Sequence, residues 1–164
     1  MKHAPYFVDV IGSGEPVDVM PYVIEAMASC PYRHDFTPIE IAKLLEQVAR
    51  GKYISVDVLD RIEGRMLDAI TGRVIRWLQT EQRIAQLTEL MSYDIRYIPY
   101  VEVRYFKDDP VCAGVEKLSG RWLRQDELVR FPLPDCDQEK CSCGYRAWTK
   151  HSGRKRHPTR SDPF

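Results

Sequence analysis

Three cysteines fall within the eight positions of CDQEKCSC, residues 136–143, in a chain that has five in all. Thiolates are common structural ligands of zinc, which takes four donors in a tetrahedron. Cys141 and Cys143 are two apart, so on an extended segment both sulfurs share a face and can reach one ion. Cys136 arrives through the polar loop DQEK. A fourth donor must come from elsewhere, and Cys112 and His151 are the candidates.

Other cysteine chemistries fit this stretch less well. A free thiol is often a small buried hydrophobe, but Asp137, Gln138, Glu139 and Lys140 offer no apolar wall. Cys30 stands alone and suits that role, with or without the nearby His34. Disulfides belong to oxidising compartments. The start, MKHAPYFVDVIGSGEP, lacks the apolar run of a signal peptide. No stretch reaches the ~20 apolar residues of a membrane span. The expectation is therefore a cytoplasmic protein, without membrane association, whose thiols stay reduced. A catalytic zinc would need an open coordination position and a base; Glu139 can be nominated, and nothing sets it apart from a solvated charge.

The stretch PVCAGVEKLSGRWLRQDELVRFPLPDCDQEKCSCGY, residues 110–145, resembles a short C-terminal module of many uncharacterised bacterial proteins. The resemblance runs through Cys112, Leu118, Gly120, Pro132, Leu133, Pro134, Cys136, Asp137, Cys141, Cys143 and Tyr145. Ser142 stands where the module usually carries Arg. The resemblance implies no activity. It favours Cys112 over His151 as the fourth ligand, giving Cys112, Cys136, Cys141 and Cys143 around one structural zinc.

Elements must position these residues. In DFTPIEIAKLLEQVARGKY, Thr37 is a natural N-cap, Pro38 suits the first helical position and Glu40 completes a capping box. Ile39, Ile41, Leu44, Leu45 and Val48 form the expected buried stripe, and Gly51 offers a left-handed stop. A shorter helix is expected over MPYVIEAMASC, residues 20–30, and a two-glycine turn at GSGEP. From about Ser55 to Met91, apolar residues recur at Leu59, Ile62, Met66, Ile70, Val74, Trp77, Leu78, Ile84, Leu87 and Met91, a helical period. Either Thr71-Gly72 turns the chain into a helical hairpin, the favoured expectation, or one helix of ~36 residues runs ~54 Å. The long helix would favour pairing with a second chain through residues 55–91. DIRYIPYVEVRYF, residues 94–106, has strand character, with Val101 and Val103 alternating with Glu102 and Arg104. Asp109 is expected to cap a short helix from Pro110.

Net charge is zero but unevenly placed: 13 basic against 17 acidic residues over 1–110, and 11 against 7 over 111–164. Arg146, Lys150, Arg154, Lys155 and Arg156, beside Tyr145 and Trp148, could meet phosphates and stack bases. The 44% apolar content allows a real core.

The expectation is an α+β protein: a mainly helical part over 1–92, a small Cys-rich, zinc-closed module with strands over 93–150, and a disordered basic tail over 151–164. No nucleophile elbow, HExxH or phosphate loop is present. The expected function is a non-enzymatic binding or adaptor protein with a protein partner. Nucleic-acid binding through the basic tail is the alternative, and a small metal-dependent enzyme a weaker one.

Overall fold

The structure, a computed structural model, describes residues 3–52, 61, 64–93, 100–104, 111–119, 121–136, 138 and 143–148. The chain is an α+β protein with two small antiparallel sheets. It divides into two compact units, Met1–Gln79 and Thr80–Phe164.

In the first unit, β1 (Phe7–Val8) pairs with β2 (Val17–Asp18), Val8 opposite Val17. The turn between them needs glycine: Gly12 and Gly14 have φ of 71° and 81°, where a side chain is strained. The Asp9 carboxylate fixes the turn by accepting from Ser13 N at 3.0 Å and Gly14 N at 2.9 Å. Helix α1 (Met20–Ala28) carries Pro21 in its first turn, where the missing N–H costs no helical bond. Helix α2 (Pro38–Ala49) begins with the expected capping box: Glu40 N donates to Thr37 Oγ1, and Thr37 N donates to Glu40 Oε2 at 2.8 Å. These bonds from Thr37 hold the Glu40 carboxyl below its ordinary pKa. Gly51, at φ 63°, stops the chain as expected. Ile41, Ala42, Leu44 and Leu45 are buried, whereas Ile39 is 39% exposed and leaves the expected stripe. It lies two positions before Ile41, about 200° around the helix, so both cannot face one core.

The hairpin at Thr71-Gly72 is overturned. Helix α3 (Gly64–Leu67) passes through a π-helical segment, Asp68–Gly72, directly into α4 (Arg73–Tyr93). Gly72 does not adopt the left-handed φ that would end a helix. Thr71 instead donates its hydroxyl to Leu67 O at 2.7 Å, a bond that keeps a buried polar side chain within helical geometry. The extra residue of a π turn shifts the helical phase. Met66, Ile70, Val74, Trp77 and Leu78 nonetheless all reach the first unit's core, with Val19, Val23, Ile41 and Leu45. Leu59 and Ile62, which head the expected periodic stretch, lie outside the described residues. No helix among the described residues is long and apolar enough to cross a membrane.

In the second unit, β3 (Tyr100–Arg104) is the middle strand, flanked by β4 (Trp122–Leu123) and β5 (Gly144–Trp148). Both pairings are antiparallel, with Val101 opposite Leu123 on one side and Ala147 on the other. Val101 and Val103 turn inward from β3, as the alternation predicted; residues 94–99 and 105–106 lie outside the described residues. Helix α5 (Ala113–Leu118) starts at Ala113, with Cys112 as N-cap, and not at Pro110. Cys112 is extended at ψ 148°, and Asp109 and Pro110, the expected cap and first residue, lie outside the described residues. The core gathers Leu87 of α4, Val101, Val103, Val115, Leu123 and Phe131 with Cys112, Cys136 and Cys143.

Candidate metal centre

The loop after β4 is anchored before it reaches Cys136. A 3-10 turn, Gln125–Glu127, is closed by Arg124 N donating to Glu127 Oε2 at 2.8 Å. Phe131 is fully buried, follows Arg130 in its ion pair with Glu81 at 3.3 Å, and precedes a cis bond to Pro132. Its carbonyl accepts from the buried Thr80 hydroxyl at 3.2 Å. The Tyr145 hydroxyl fastens the same loop from β5: it accepts from Val129 N at 2.6 Å and donates to Val129 O. Burial raises the Tyr145 phenol to about 12. Phe131 and Tyr145 also stack their rings, centroids 5.1 Å apart.

From Phe131 the chain turns. Cys136 N donates to Leu133 O at 3.0 Å, closing Leu133–Cys136 into a tight turn. The first turn of α5 rests directly on it. A methyl group at Gly114 would lie 2.7 Å from Leu133 Cδ1 and 3.1 Å from Asp135 Oδ1. Glycine therefore lets the helix backbone approach the turn closely. Cys112 precedes that helix and Cys136 ends that turn, and both belong to one buried cluster. Both are buried, Cys112 to 1% and Cys136 to 7% exposure. Burial pushes the Cys112 thiol up, the Val115 N–H pulls it down, and the adjacent Cys136 thiol raises it again.

Cys143 enters the same cluster from the start of β5, also buried. The expected ligands Cys112, Cys136 and Cys143 thus meet in one dry region, brought by a helix, a turn and a strand. Cys141 lies outside the described residues, as does His151. Among the described residues, no group of three or more His, Cys, Asp or Glu side chains is arranged to hold a metal ion. Thiols are donors that zinc accepts. Cys30 is half-buried beside the first unit's core, where an isolated thiol packs as a small hydrophobe.

Of the basic residues, Arg146 is exposed on β5, opposite Glu102 of β3. Lys150, Arg154, Lys155 and Arg156 lie outside the described residues. The sequence reading overlooked Gly114, Phe131 and the Tyr145 fastening. Phe131-Pro132 was visible as an apolar anchor ahead of a Leu-Pro lead-in, and Tyr145 keeps strand alternation with Cys143. No family model, curated protein or solved structure matches the chain.

Proposed function

We propose that the protein is a non-enzymatic binding or adaptor protein whose C-terminal unit is closed by one structural zinc ion on Cys112, Cys136, Cys141 and Cys143. The observation that carries this reading is the burial of Cys112 and Cys136, far apart in sequence, in one cluster. Cys143 shares their cluster, and Cys141 is two residues from it. Four thiolates fill a zinc tetrahedron and leave no position for a substrate, which separates a structural site from a catalytic one. The metal then supplies folding free energy, on the order of 10 kcal/mol in small zinc modules, to a unit whose strands and last helix are short. The binding role falls to the helical part of the chain.

Native mass spectrometry of the full chain, with and without chelator, tests this. One zinc per chain is expected, lost on Cys112→Ser or Cys136→Ser, and the same spectra count subunits. Cobalt loading extends the test: a tetrahedral thiolate spectrum that azide leaves unchanged is expected. A spectrum that shifts with azide reveals an open position and favours the enzyme alternative. A chain that binds no metal at all removes the proposal's basis.

A further inference from the structure

The outer edge of the N-terminal hairpin has the chemistry of a strand acceptor. We infer that β1 takes an extended, basic peptide segment of a partner protein as a third strand, paired along Phe7. This names a partner for the binding reading above and does not depend on zinc.

Peptide geometry fixes which way the backbone of β1 points. Tyr6 O accepts from Val19 N at 2.9 Å, on the β2 side. The two polar groups of a trans peptide point in opposite directions, so the Phe7 N–H faces away from β2. Tyr6 N donates to Asp18 Oδ1 at 3.0 Å, again on the β2 side, so the Pro5 carbonyl faces away as well. Bonded and non-bonded pairs alternate in an antiparallel ladder. Tyr6 is bonded to Val19, which makes Phe7 opposite Asp18 a non-bonded pair and turns the Phe7 carbonyl outward too. Pro5 O, Phe7 N and Phe7 O thus form an acceptor–donor–acceptor row. Among the described residues, the sheet they edge has two strands, and no third covers that row. Proline suits such an edge, where its missing N–H breaks no ladder bond. The Phe7 side chain is 62% exposed, the most exposed large apolar side chain among the described residues.

Charge selects the occupant. Residues 3–19 carry Asp9, Glu15 and Asp18 and no Lys or Arg. Asp9 and Asp18 accept from backbone N–H groups, which carry no net charge to offset theirs. A second copy paired edge to edge would bring two acidic hairpins together, and like charges repel. A segment that alternates basic and apolar residues fits instead. Phe7 and Asp18 share one face of the hairpin. On that face a Lys or Arg lays its apolar stem across the ring and carries its charge toward the carboxylates.

The test titrates the full, isotope-labelled chain with synthetic peptides: acetyl-KVRVKVR-amide, the acidic acetyl-EVEVEVE-amide, and the proline-interrupted acetyl-KPRPKPR-amide. Fluorescence anisotropy reads affinity, and amide exchange at Phe7 reads the place. The first peptide is expected to bind, to slow exchange of the Phe7 N–H, and to weaken as added salt shortens the Debye length from about 30 to about 3 Å. The other two are expected to bind about tenfold more weakly or worse. Phe7→Pro removes the outward N–H and no bond between β1 and β2, and is expected to weaken the first peptide about tenfold. Phe7→Lys keeps the backbone, changes an exposed side chain, and is expected to weaken it at least as much by like charge. No binding, equal binding of either control peptide, unchanged exchange at Phe7, or full affinity in either folded variant overturns the inference. A Phe7 amide protected in concentrated protein alone, and released on dilution, identifies a second copy as the occupant and overturns it as well. Peptide binding at Phe7 in a chain whose metal responds to azide leaves this inference standing and fails the structural-zinc reading. A closed zinc in a chain that ignores the peptide does the reverse.

Discussion

The buried cluster of the N-terminal unit, from Val8 to Leu78, holds no cysteine among its described members and includes Phe36, Ile41, Leu45, Met66, Ile70 and Trp77. That of the C-terminal unit, from Leu87 to Cys143, contains three cysteines among nine residues. The elements differ in the same sense. The first unit packs a helix of 12 residues, α2, beside the 9-residue α1. The second packs a 6-residue α5 and a 2-residue β4 around β3, and takes Leu87 from the C-terminal part of α4. Long amphipathic helices bury much apolar area per element, and area is what the hydrophobic effect rewards, at roughly 25 cal/mol per Å². A thiol buries less area than Leu or Ile. With three thiols among the nine described members of this core, the ligation proposed above would add cohesion that apolar area supplies in the first unit. Side chains that fasten loops (Tyr145 on Val129, Thr80 on Phe131) make up part of the remainder.

The strongest way to break this contrast is to remove the metal proposed above. Chelation is expected to speed amide exchange by several orders of magnitude at Val101, Val103 and Tyr145. Ile41, Leu44 and Leu45 should exchange as before. The gap reflects a loss on the order of 10 kcal/mol confined to one unit. Hydrogen–deuterium exchange with peptide-level readout checks it. Equal acceleration in both sets, or none in either, removes the distinction between a metal-closed unit and an area-closed one.

The same contrast decides what was legible in the sequence. Where local chemistry determined the outcome, it could be read: Thr37, Pro38 and Glu40 start α2, and Gly51 stops it. Val101 and Val103 alternate into the core as a half-wet strand should. Where packing chose between local options, it could not. Thr71-Gly72 resembles a turn in isolation, yet Thr71 is buried and bonded back to Leu67, so the helix continues through a π segment. Ile39 has the right type for the core and the wrong angle around α2. The burial of Cys112 and Cys136 in one cluster could not be read, nor could the place of Gly114, whose missing side chain leaves room for Leu133 and Asp135 of the Leu133–Cys136 turn. A glycine in a short helix carries no such message until its neighbour is known.

A core truncation sharpens the contrast from the other side. Leu45 is fully buried in the N-terminal cluster. Leu45→Ala is expected to cost about 2–5 kcal/mol, through lost transfer free energy and the cavity left behind. Denaturant unfolding should show that loss, while zinc stoichiometry in native spectra stays at the wild-type value. If the substitution also releases zinc, the two units do not depend on separate sources of cohesion.

The smallest expected effect concerns the hydroxyl of Tyr145. Tyr145→Phe keeps the ring and its contact with Phe131 but leaves Val129 N without its acceptor and Val129 O without its donor. One such loss in a half-buried site costs about 1–2 kcal/mol. Its pH dependence identifies it. Burial raises the phenol from its ordinary 10.0 to about 12, so the folded state favours the neutral form. That contribution is fully present below the ordinary value and fades as pH climbs through the raised one. The wild type should therefore lose stability between pH 10 and about 12 in a way the variant does not, and the gap between them should narrow there. Urea midpoints for both proteins across that range provide the measurement. A gap that stays constant with pH would mean the phenol holds Val129 no better folded than its packing alone does, and the loop leading to Cys136 would owe its position to Phe131 instead.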